Sequence, residues 1–142
     1  MIRVKLFLAS LCIFSTVAHA DADQALLDKI NPAWQRLDEL SQPYLTANQQ
    51  GTVYELAFAA AAAQICPGFE VDRDKFVAAF KDFADQAHQR MSADAHRERE
   101  RELLVFYGTA VGLLSAEGLL TEDRFCSAAQ AAKESSDDNY WK

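Results

Sequence analysis

The chain has 142 residues, a formal net charge of −7, and hydrophobic side chains at half of its positions. That length accommodates one domain with a core of its own. The acidity argues against nucleic acid and anionic lipid as partners, because their phosphates are held by clustered Lys and Arg.

The first element is expected to be removed. Arg3 and Lys5 form a short basic region, Leu6 to Val17 form an apolar stretch, and Ala18-His19-Ala20 supplies a small-x-small cleavage site. This tripartite pattern marks a secretory signal peptide over 1–20. The stretch is too short to span a bilayer, so no stable membrane insertion is expected after cleavage. Loss of 1–20 takes away two positive charges and no acid, which lowers the net charge from −7 to −9. It also takes away Cys12 and leaves two cysteines, Cys66 and Cys126. In an oxidising compartment, periplasmic or extracellular, such a pair reads as a disulfide.

The mature chain divides into a helical bundle over 21–134 and a flexible tail over 135–142, whose Tyr140 and Trp141 are candidates to dock on the bundle. Apolar residues recur at three- and four-residue spacings and no strand alternation survives, which predicts an all-α, single-domain bundle of four to five helices. The first helix, 22–40, carries Leu26, Leu27, Ile30, Trp34, Leu37 and Leu40. Pro32 is expected to kink it or divide it in two. Residues 41–52 read as a connector. A second helix is expected from Thr52 to Cys66, ended by Pro67-Gly68. The third opens at Asp72 and sets Phe76, Phe80, Phe83, Ala87 and Met91 on one face. Ser92 caps a fourth that reaches Glu117 with Gly118 as its stop. Its half from Leu103 to Leu114 is apolar nearly all round, which predicts burial in the middle of the bundle. Thr121 caps a fifth helix, 122–134.

Several groups are candidates for chemistry or binding. Gly108, Gly112 and Ala116 recur every four residues and predict either close packing against the Ala59–Ala63 run or a groove for a partner helix. Close packing is preferred, and it implies that Gly112→Leu destabilises the fold strongly. The run Arg97-Glu98-Arg99-Glu100-Arg101-Glu102 forms opposite-charge pairs at helical spacing, each worth a few tenths of a kcal/mol. Arg97, Arg99 and Arg101 are candidates for a partner-docking ridge.

His88, or His96 with Glu100, supplies too few ligands for a metal, and Asp72-Arg73-Asp74 lacks the later ligands of a calcium loop. No cofactor is expected. Glu55, Glu117 and Glu122 are the acids a carboxylate enzyme would draw on. The expected function is therefore a non-enzymatic protein-binding module of the secretory pathway, such as an inhibitor, an immunity-type factor or an envelope-stress factor. A small-ligand carrier, with a pocket lined by Phe76, Phe80, Phe106 and Tyr107, is the alternative. A carboxylate enzyme ranks below both.

Overall fold

A computed structural model describes residues 17–87, 91–135 and 139–142. Five helices follow one another: α1 Val17–Ser41, α2 Ala47–Ile65, α3 Arg73–Ala87, α4 Ala93–Leu120 and α5 Glu122–Ser135. Residues 1–16, most of the expected signal segment, lie outside the described residues. The same holds for His88.

The helix starts follow from local capping chemistry. Asp72 accepts from the amides of Asp74 and Lys75 at the head of α3, and Ser92 accepts from the amide of Ala95 at the head of α4. These side chains satisfy amides that have no partner inside the helix. α2 begins five residues before the expected Thr52. Its cap is Thr46, whose hydroxyl accepts from the Gln49 amide while the Gln49 side chain accepts from the Thr46 amide. This reciprocal capping box overrides the cost of Gly51 in the first turns. The Thr52 hydroxyl instead donates to the Asn48 carbonyl. α2 ends where expected, and Gly68 turns the chain at φ +80°, a conformation that disfavours other residues.

Of the two outcomes expected at Pro32, division into two helices does not occur, and α1 continues through it. Pro32 is exposed, so a carbonyl left without its amide can turn to water. α4 continues through Gly118 to Leu120 and is capped by Thr121, whose amide and hydroxyl both donate to the Glu117 carbonyl. Gly118 is not a stop. A Cβ built there would lie 2.6 Å from Ile65 Cδ1 and 3.1 Å from Phe125 Cδ1, so a larger residue would have to displace side chains of α2 and α5 that converge on it.

α2 is the central helix. One side buries Val53, Leu56 and Ala57 against Leu103, Phe106 and Ala110 of α4, with Leu37 of α1 and Leu45 of the connector closing the cluster. The other side buries Ala59, Ala61, Ala62 and Cys66 against Phe125 and Ala129 of α5 and against Trp141. Cys66 and Cys126 are joined by a disulfide, with Cα atoms 5.4 Å apart and a sequence separation of 60. Of the tail expected to be flexible, residues 139–142 are docked. Val71 and Trp141 form an antiparallel bridge, flanked by hydrogen bonds from the Asp72 amide to the Tyr140 carbonyl and from the Lys142 amide to the Glu70 carbonyl.

The packing at glycine reverses the mutational expectation. Gly112 and Gly108 have nothing within 4 Å of a built Cβ. Gly112→Leu is therefore expected to leave the melting temperature unchanged or slightly raised, since leucine favours the helix over glycine. Gly118→Leu overpacks a converged site and is expected to cost about 1–3 kcal/mol. Thermal melts of the two variants check this directly, and equal losses would contradict it.

Candidate functional site

α4 presents its buried side to α2 through Leu103, Phe106 and Ala110. At 100° per residue, Val105, Gly108, Gly112, Ala116 and Leu119 fall on the opposite side, and all five are exposed. Exposure reaches 60% at Leu104, 54% at Val105 and 70% at Leu119, among the large apolar residues least covered in the described chain. The expectation that this half of α4 is buried all round is thus corrected. Only Leu103, Phe106, Ala110 and Gly118 of α4 are buried, and Tyr107, Val111, Leu113 and Leu114 are half-buried.

Gly108, Gly112 and Ala116 accordingly do not meet the Ala59–Ala63 run. The close α2–α4 contact is made at Ala110 and Gly118 instead. What remains at Gly108 and Gly112 is a shallow uncharged trough, bordered by Leu104, Val105 and Leu119. No charged residue occurs between Glu102 and Glu117. By length and composition α4 could cross a membrane.

The arginines do not form a free ridge. Arg97 pairs with Asp94, and Arg101 pairs with Glu98 and lies 3.7 Å from Glu102. Arg99 turns the other way and donates to Gln49 of α2 at 3.2 Å. His96 and Glu100 lie 3.4 Å apart, one turn apart on α4. Among the described residues, no group of three His, Cys, Asp or Glu side chains could hold a metal ion.

The pocket expected among Phe76, Phe80, Phe106 and Tyr107 is filled by the rings themselves. Phe76, Phe80 and Tyr107 pack mutually with centroids 5.2–5.8 Å apart, while Phe106 lies apart, buried and 5.9 Å from Tyr44. A cleft of about 510 Å³ opens elsewhere, lined by Trp34, Asp38, Tyr54, Glu55, Phe58 and Leu114 of α1, α2 and α4. Trp34 and Tyr54 meet edge to face at 5.6 Å. The Trp34 indole donates to Glu117, and the Tyr54 hydroxyl donates to Asp38. Glu55 is beside them and Glu122 is not.

Burial, and then the hydrogen bond to Asp38, hold the Tyr54 phenol well above its ordinary range. Burial, and then the charges of Glu55 and Asp82, raise that of Tyr140. Burial is the first cause of both shifts, and the carboxylates of Asp38, Glu55 and Asp82 add to it. Trp34 with Glu117, 83 residues apart, is a pairing that no local sequence pattern signals.

Compared with known proteins, the chain matches no family model, no curated relative and no solved structure.

Proposed function

We propose that this chain is a small secreted protein, periplasmic or extracellular, that binds another protein without catalysing a reaction. Its docking surface is the solvent face of α4, from Leu104 to Leu119, and its partner supplies a helix. The observation that carries this reading is the open trough at Gly108 and Gly112, bordered by exposed Leu104, Val105 and Leu119. Two glycines in the interior of a helix cost about 1 kcal/mol each relative to alanine. Inside this molecule no close contact offsets that cost. A partner helix seated in the trough would, because small residues let helix axes approach closely. A continuous apolar strip on a water-facing helix is also a feature of protein interaction sites. The signal pattern of 1–20 and the paired cysteines support an oxidising compartment. Inhibitor, immunity-type factor and envelope-stress factor are the roles this surface serves.

The test is capture of partners from the native compartment with the wild-type protein and with Gly112→Arg. The substitution puts a charge in the middle of the trough where nothing in the fold opposes it. A partner retained by wild type is expected to be lost from the variant, at an unchanged melting temperature. Equal recovery by both proteins would reject this face.

The cleft at Trp34 favours the carrier as a second reading. Aromatic walls beside Asp38 and Glu55 suit an organic cation, through cation–π and charge attraction together. Among the described residues, no Lys or Arg is ion-paired with Asp38, Glu55 or Glu117.

A further inference from the structure

On the reading of α4 as a docking face, we infer that in the free protein this face is covered by a second copy of the same chain, which the partner helix displaces. Counted from Gly112, Gly108 and Ala116 lie four residues to either side, and Val105 and Leu119 lie seven to either side. Leu104 and Leu120 lie eight to either side. The strip is therefore small at its centre and large at both ends, and it reads the same in either direction.

A two-fold interface requires this property, because residue i of one copy meets residue j of the other, and j meets i. Two α4 helices crossing antiparallel at Gly112 set Gly108 against Ala116 and Val105 against Leu119, in both halves at once. The glycines allow a close crossing, and the leucines and valines clasp its ends.

The electrostatics are compatible with this register. The uncharged stretch between Glu102 and Glu117 puts no like charges face to face, although each chain is acidic overall. Beyond it, the antiparallel arrangement sets Arg101 of one copy against Asp123 of the other and Glu102 against Glu122, so that one attraction and one repulsion offset. Arg101 is two-thirds exposed, and it is paired with Glu98 on its own helix.

The contact is also small. From Val105 to Leu119 the helix rises about 21 Å, too short for the roughly 800 Å² per partner of a standard interface. The pair is accordingly weak and exchanging, which leaves the face available to a partner helix.

The experiment is sedimentation of the mature protein from micromolar to near-millimolar concentration, alongside Gly112→Arg and Gly112→Cys. Wild type is expected to double in mass as concentration rises, and Gly112→Arg to stay single with an unchanged melt. If that variant does not fold, Gly108→Arg takes its place. Gly112→Cys lies on the two-fold axis and is expected to cross-link to its own copy under mild oxidation. Gly51→Cys, on exposed and open α2 backbone, is expected to cross-link far less.

A wild-type protein that remains single at every concentration would overturn the second copy as occupant. So would equal cross-linking from positions 51 and 112. Either result leaves the docking face standing if Gly112→Arg still loses its captured partner. That face fails separately, if capture is indifferent to Gly112→Arg.

Discussion

Trp141→Ala is expected to destabilise the protein by about 3–5 kcal/mol, the range for truncating a large buried aromatic. The indole is only 5% exposed although it is the second residue from the end of the chain. It meets Phe69 edge-on at 5.2 Å and Phe58 at 6.0 Å. Its N–H donates to the Ala59 carbonyl at 3.1 Å, which fixes the ring against the Ala-rich side of α2. Removing it empties a volume bounded by three elements and takes away the anchor of residues 139–142. The Tyr140 carbonyl then no longer holds the Asp72 amide, so the loss spreads to the start of α3. Small domains are stable by roughly 5–15 kcal/mol in all, and a loss of this size is a large share of that. Urea denaturation measures it, with amide exchange in α3 as the local readout. A variant that unfolds at the wild-type midpoint would show that the tail does not hold the bundle.

Removal of the Cys66–Cys126 bridge is expected to cost about 4 kcal/mol in the chain-entropy account, given the loop it closes. The bridge fastens the C-terminal end of α2 to the first turns of α5, and the closed loop contains all of α3 and α4. Cys66 is 4% exposed and belongs to the same cluster as Phe125 and Ala129. Its two ends are thus already held side by side, and the stabilisation arises chiefly by restricting the unfolded chain. Denaturation of the oxidised protein, the reduced protein and the double Cys→Ala variant measures it. The reduced and double-variant midpoints are expected to coincide, well below the oxidised one. Identical midpoints for oxidised and reduced protein would contradict the bridge as a staple.

The all-α class and the disulfide pairing were legible because each rests on a local or countable signal. Asp72 and Ser92 cap their helices through their own side chains, and with Cys12 assigned to the expected signal segment the other two cysteines allow one pairing. Thr46 was missed although its box with Gln49 stands in the sequence, because Gly51 reads as a break when only local propensity is weighed. Gly118 was misread for a related reason. A glycine near a helix end resembles a stop, and only the approach of Ile65 and Phe125 reveals it as a packing position.

The misplacement of the Gly108–Gly112–Ala116 stripe is the most instructive. Periodicity tells which residues share a face only where polar residues mark the other face. From Leu103 to Leu114 α4 is apolar nearly all round, so the pattern could not say which side lacked a neighbour. The cleft at Trp34 was illegible because it joins residues of α1, α2 and α4 that are far apart in the chain.

A docking role for α4 requires that protein sit in its trough where this chain works. The most direct measurement introduces a photo-reactive amino acid at position 112 and, as a control, at exposed Ser127 of α5, in cells that make the protein. The expected result is protein adducts formed from position 112 and few or none from 127, with the 112 adducts suppressed by Gly108→Arg. Adducts that form equally from both positions, or none from 112, would contradict it.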